Sequence, residues 1–243
     1  MTAVTFELRG NATVAWQKGP RHKFYEDRFR LLCHPIPLIA QANRGEIFAV
    51  LDGVGSAPKG MASAQEVCDS LVRFFTSPID QIPDEKELLN AILANANETI
   101  NSWGCMEGTT RPDGACAGTI VWIDVQRMAH IFHAGDTTAL LIRDGLAQVL
   151  TTVHQNGDGH LSNYFGMPTL QLQTQSLQLE EGDRLLIFSD GIGKAFANNQ
   201  GIADIIESKS TRNASLAALF VAARASGSSD DATAILVDIE DVE

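Results

Sequence analysis

The sequence predicts a single α+β or layered domain, and three observations carry that prediction. Short segments rich in Val, Ile, Leu and Phe recur along the chain and read as strands. Apolar residues at three- and four-residue steps mark amphipathic helices that come in pairs between the strand runs. No repeat of fixed period, low-complexity tract or long linker interrupts the chain, so residues 1–243 are expected to fold as one unit.

The elements follow in order. "AVTFELRG" and "ATVAWQ" are β-favouring segments either side of the turn pair Gly10-Asn11, and "EIFAVLD" is a short apolar strand. From Lys59 to Ser77, the residues Met61, Ala64, Val67, Cys68, Leu71, Phe74 and Phe75 share one helical face, and Pro78 ends the helix. A second helix opens at Asp84, with Glu87 three residues on as its capping-box partner. It buries Leu88, Leu89, Ile92, Leu93, Ala96 and Ile100 before Trp103-Gly104 closes it. A dense β region follows in "CAGTIVWIDV", "MAHIFHAGD", "TALLIRDG" and "LAQVLTTV", with Asp144-Gly145 as a hairpin turn. Being consecutive, these strands are expected to pair antiparallel rather than through crossovers. The polar segment "HQNGDGHLSNYFGMP" precedes a return to alternation in "QLQTQSLQLEEGDRLLIFSD". Two shorter helices are expected next, and "NASLAALFVAARASG" offers Asn213 as cap, Leu216, Leu219, Phe220 and Ala223 as apolar face, and Gly227 as stop. "ATAILVDIE", introduced by "SGSSDD", is the last strand.

Composition narrows the function classes. Eighteen Lys and Arg against 30 Asp and Glu give a net charge of -12, a field that repels nucleic acid and anionic membrane, so neither is an expected partner. No window reaches the about 18 apolar residues of a membrane span, and "MTAVTFELRG" lacks the basic-then-apolar pattern of a signal peptide. A cytoplasmic protein is expected. Cys33, Cys68, Cys105 and Cys116 show no C-x-x-C pair, which points to reduced, individually buried thiols.

Several carboxylates stand where an apolar strand stops: Asp52 after "IFAVL", Asp136 after "HIFHAG", Asp190 after "LLIFS", and Asp230 before "DATAILV". Glu26 and Asp27 in "FYEDRF" form a fifth station. Each alone reads as an ordinary turn or a solvated face, and Asp144-Gly145 is such a structural turn. Brought together, they would be like charges that stay ionised only with bound cations, and an all-oxygen set selects Mg²⁺ or Mn²⁺ over zinc. Gly53, Gly55, Gly191 and Gly193 would let the backbone approach and offer a carbonyl as a further ligand.

Six segments in order resemble the metal-dependent protein phosphatases of the protein phosphatase 2C type, over Gly19 to Ile239: "YEDRF", "VLDGVGSAPKGMASAQ", "GACAGTIVWI", "HAGDTTALLIRDG", "LLIFSDGI" and "DDATAILVDI". The resemblance implies a four-layer α-β-β-α sandwich with two central antiparallel sheets and a dinuclear metal site at one edge. It implies that Asp52 bridges two ions, that Gly53 gives one of them its carbonyl, and that Asp190 and Asp230 complete the other. Glu26 would act through a coordinated water and Asp27 would orient that shell, while Asp136 with Asp190 can support a third, weaker ion. A metal-bridging water would be the nucleophile that hydrolyses a phosphomonoester, with phosphoserine and phosphothreonine proteins as the implied substrates.

Departures from the pattern define the alternative reading. Val54 stands where many members carry His, so a leaving-group proton would come from water, His154 or His160. Arg21, the expected phosphate-binding residue with Lys23 in reserve, lies five residues before Glu26 where the family spacing is four. Asp231 replaces the usual Asn. The alternative is a phosphatase-like regulatory or phosphoprotein-binding protein without turnover. A third reading uses Cys105 to Arg111, which has the Cys-x₅-Arg spacing of cysteine phosphatases but runs into the turn Pro112-Asp113-Gly114 instead of a helix. "HQNGDG" is read as a loop because His154 and Phe165 are unsuitable calcium ligands, and His130 and His133 fall on opposite strand faces.

Overall fold

The structure, a computed structural model, describes residues 3–78 and 84–240. Among the described residues, eleven strands form two antiparallel sheets. The six-stranded sheet contains β1 (Thr5–Arg9), β2 (Ala12–Gln17), β7 (Thr138–Arg143), β8 (Leu146–Val149), β10 (Arg184–Phe188) and β11 (Ala232–Asp238), in the order β1-β2-β11-β10-β7-β8. The five-stranded sheet contains β3 (Arg28–Leu32), β4 (Glu46–Gly53), β5 (Cys116–Ile123), β6 (Met128–Ala134) and β9 (Gln173–Gln178), in the order β3-β4-β5-β6-β9. Helices α1 (Pro37–Ala42), α2 (Gly60–Ser70), α3 (Val72–Thr76) and α4 (Glu85–Asn101) belong to the five-stranded side. A single turn, α5 (Asp190–Gly193), precedes α6 (Asn199–Glu207) and α7 (Arg212–Ala225) on the six-stranded side.

Three apolar layers hold these elements in the four-layer arrangement that the resemblance implies. Ala64, Val67, Leu71, Phe74, Leu89 and Leu93 pack from the helices onto Leu51, Ile120 and Phe132 of the five-stranded sheet. Phe48, Val50, Val121 and Ile131 meet Val14, Leu185, Ile187 and Ile235 between the two sheets. Ile202, Leu216, Leu219 and Phe220 cover Leu140, Leu186 and Leu236 on the far side. The central strands β5 and β10 are buried on both faces, which is why they read as continuous apolar runs.

Four expectations change. The Lys59–Ser77 helix is two helices that meet at Leu71. The cap of α7 is Thr211, whose side chain accepts the Ala214 N–H, while Asn213 lies inside the helix. Cys105 is exposed, although Cys33, Cys68 and Cys116 are buried and all four thiols are free. Of the four consecutive strands β5 to β8, β5 pairs antiparallel with β6 and β7 with β8 as expected, but between β6 and β7 the chain changes sheets. Gly135 makes that change possible, with φ +111° and the position of a Cβ only 2.3 Å from the Ala117 Cβ.

These sheet changes create one distinctive end of the sandwich. Here β2 and β6 leave their sheets and β3 and β7 enter the others, alongside the C-termini of β4 and β10 and the start of β11. Residues 18–27, 135–137, 189–193 and 228–231 are therefore neighbours although far apart in sequence. Among the described residues no helix is long and apolar enough to cross a membrane.

Candidate metal centre

Asp52 is the penultimate residue of β4, Asp136 sits in the sheet-changing turn, and Asp190 opens α5 directly after β10. One carboxylate oxygen from each lies within 4.8 Å of the others. The glycines explain how the backbone reaches this density. A Cβ on Gly53 would lie 2.7 Å from Gly60 C and 2.9 Å from Glu26 O, and one on Gly191 would lie 1.8 Å from Asp231 O. Side chains there would push apart the start of α2, the Glu26 loop and β11.

The cluster is short of water and crowded with like charge. Burial pushes the Asp52 carboxyl well above the usual range, and Asp27, Asp190, Asp136 and Asp230 push it further. Burial raises Asp136 too, with Asp190 adding to the rise and Lys194 and Gln155 opposing it. Asp27 is 1% exposed and lifted to about 8 by burial, although its Oδ2 accepts from Ser189 Oγ at 2.8 Å and Thr233 Oγ1 at 2.5 Å. Tyr25 in turn donates its hydroxyl to Thr233.

A second group of acids flanks the first. His22 lies between Glu26 and Asp230, with Nδ1 3.1 Å from Glu26 Oε2 and Nε2 2.8 Å from Asp230 Oδ1. The position of a Cβ on Gly55 is 3.0 Å from the same Glu26 oxygen, which places Glu26 against the chain that leaves Asp52. Asp231, read from sequence as an added negative charge, has a structural task. It is 2% exposed and accepts the backbone N–H of Gly19 at 2.7 Å and of Glu26 at 2.6 Å, tying the residue 19–26 loop to β11.

The remaining sequence candidates are placed differently. Arg21 is exposed on that loop, and Lys23, also exposed, sits 5.2 Å from the centre of the Phe24 ring. His154 accepts the Gly135 N–H on Nδ1 and stacks on His133, and it lines a separate cleft with Asn163, Met167 and Gln173. His160 lines a cleft of about 410 Å³ beside Val54, together with Ser56, Arg111 and Tyr164. A larger cleft of about 730 Å³ lies at the opposite end, where Glu46 begins β4, and contains none of these acids. Cys105 follows α4 in a bridge to Pro112, and residues 106–114 form turns, so no helix N-terminus serves that thiol.

Sequence reasoning missed His22, Gln155 and Lys194. Gln155 Nε2 donates to Asp136 Oδ2 at 2.8 Å, and Lys194 pairs with Asp190 Oδ2 and lies 3.8 Å from Asp136 Oδ2. The four-residue spacing of Lys194 from Asp190 was a readable signal once a helical turn was expected there. His22 and Gln155 lie in loops, where no periodicity reports them.

The donor set fits hard divalent cations. It is all oxygen, and two of its buried atoms, Asp190 Oδ1 and Asp27 Oδ1, have no hydrogen-bond partner. Orphaned carboxylate oxygens amid like charges are costly without a cation.

Comparison with known proteins identifies the family and the fold. The family model described as Protein phosphatase 2C matches residues 27–219. A probable protein phosphatase 2C 14 of Arabidopsis thaliana is 23% identical over 235 residues, covering 83% of this chain and 50% of that protein. The chain thus spans about half the length of this curated relative. Among solved structures, PppA, described as a key regulatory component of T6SS in Pseudomonas aeruginosa, has a TM-score of 0.76 at 22% identity, covering 93% of this chain and 96% of that one. The catalytic domain of the serine threonine protein phosphatase PstP, in complex with two manganese ions, has a TM-score of 0.75 at 18% identity, covering 98% and 100%. With the family model spanning most of the sequence, from Asp27 past Asp190-Gly191 to Leu219, the chain belongs to the protein phosphatase 2C family.

Proposed function

We propose that this chain is a divalent-metal-dependent protein serine/threonine phosphatase, working with Mg²⁺ or Mn²⁺ on phosphorylated proteins. The observation that carries the proposal is the meeting of Asp52, Asp136 and Asp190, 138 residues apart from first to last, with ligand oxygens within 4.8 Å. Asp52, the Gly53 carbonyl, Asp190 and Asp230 would hold two ions, with Glu26 beside them and Asp27 fixing the carboxylates from beneath. Bound there, divalent ions acidify water and neutralise charge on phosphoryl oxygens.

The chain's own groups do the rest. The sheet ends fix the carboxylates before substrate arrives, so little reorganisation is needed on binding. Arg21, exposed on the tethered loop, is the cation assigned to the substrate phosphate. Val54 brings no proton to the leaving group, and His160 at the cleft is the imidazole left to compete with water for that role. The cleft beside Val54 would receive the residues around the phosphorylated side chain. Residues 1–243 are taken as one catalytic domain, and the free thiols suit a cytoplasmic setting.

The test is hydrolysis of an aryl phosphate and a phosphothreonine peptide with Mn²⁺, with chelator, and with Asp52→Asn and Asp190→Asn. The expected result is turnover that chelator abolishes and each substitution lowers by about 10²-fold or more. Activity that survives chelator overturns the metal assignment. Folded, ion-binding protein without turnover supports the regulatory alternative, for which Val54 is the favouring observation.

A further inference from the structure

Asp190 divides its two oxygens between different surroundings. Oδ1 is buried without a hydrogen-bond partner, whereas Oδ2 is paired with the Lys194 ammonium. The pairing is built into α5. Lys194 caps that turn, its N–H donating to Asp190 O, so its side chain rises on the same face as Asp190. The same ammonium lies 3.8 Å from Asp136 Oδ2, an oxygen that also accepts from Gln155. A positive charge thus spans the Asp136–Asp190 side of the cluster, while the other Asp190 oxygen is left without a hydrogen-bond partner.

We propose that Lys194 is the resident cation of the Asp136–Asp190 pair, so that this centre holds two divalent ions and excludes a third. The assignment rests on the dinuclear reading above and adds to it a residue that sets ion number. The physics is like-charge exclusion. A divalent ion at Asp136 and Asp190 would have to displace an ammonium tethered one helical turn away, or sit beside it. Neighbouring like charges weaken the charged form of a group by roughly 10- to 10³-fold, and a comparable loss of affinity is expected for an ion entering here. Lys194 can hold this position because it is tethered at the rim, its side chain 61% exposed, and because Asp190 and Asp136 outweigh what desolvation it meets.

Equilibrium dialysis against a Mn²⁺ series, with bound metal measured by atomic emission, tests this directly. Wild-type protein is expected to saturate at two ions, Lys194→Gln at three, and Lys194→Arg at two. Adding Asp136→Asn to Lys194→Gln is expected to return the count to two, which places the extra ion. Three ions on the wild type, or two on a Lys194→Gln protein with native circular dichroism, overturns the role of Lys194 and leaves the dinuclear reading standing. No ion or one ion on the wild type overturns both. If Lys194→Gln fails to fold, Lys194→Met carries the same expectation.

Discussion

At the scale of single residues, the acids at this end of the molecule perform three different tasks. Asp52, Asp136 and Asp190 present oxygens to a common space, Asp27 is locked beneath them by Ser189 and Thr233, and Asp231 holds backbone. Asp231 is the most informative to change, because each of its oxygens accepts one backbone N–H. Asp231→Ala would leave two amides unpaired and free the loop that carries Arg21, His22 and Glu26. The expected cost is about 1–3 kcal/mol in denaturant unfolding, with Mn²⁺ affinity about 10- to 100-fold weaker by dialysis. Asp231→Asn keeps one acceptor and should fall between Ala and the wild type. The sequence showed Asp231 only as an extra charge, since backbone partners 205 and more residues away leave no trace in local pattern.

At the scale of elements, apolar periodicity reported whatever was packed and little else. Strands β4, β5, β10 and β11 and helices α4 and α7 carry long apolar faces and were readable, down to the Asp84 cap that accepts the Lys86 and Glu87 amides. β3 was not, because its alternate residues are Arg28 and Arg30, which face Gln65 and Asp69 of α2 while Phe29 and Leu31 turn toward the other sheet. α1, opened by Pro37, was likewise missed. The change of sheet after β6 was hidden for a different reason: a strand's sequence does not say which sheet it joins.

That change of sheet is braced by His133. Its Nδ1 lies 2.9 Å from Thr119 Oγ1, which meets Thr137 Oγ1 at 2.7 Å, and its Nε2 donates to Gly135 O and Thr152 O. Burial, with His154 adding to it, lowers this imidazole to about 4. An unfolded histidine titrates near 6.5, so this group's contribution to stability is complete above about pH 6.5 and is lost as pH falls toward about 4. The loss should total roughly 3 kcal/mol, from the 2.5-unit difference at about 1.4 kcal/mol each. Asp27, Asp52 and Asp136 are raised and act in the opposite sense, but they are common to wild type and His133→Gln. The measurement is therefore the difference in unfolding free energy between the two proteins from pH 7 to pH 4, expected to shrink by that amount as pH falls.

At the scale of the whole molecule, two sheets are held face to face by apolar layers, and the chain's crossings between them deliver acids to one end. The ordered motifs announced this arrangement because each joins a buried strand to a residue that must leave it. What lay beyond them, the ammonium of Lys194, the His22 link and the Asp231 tether, comes from loops and turns whose positions only the assembled sheets define. Crystals soaked in Mn²⁺ and measured for anomalous scattering test the central claim most directly. Peaks flanked by Asp52, with Asp190 and Asp230 reaching one of them, are the predicted result. Manganese absent from this end of the sandwich, or scattered over the acidic surface elsewhere, would contradict it.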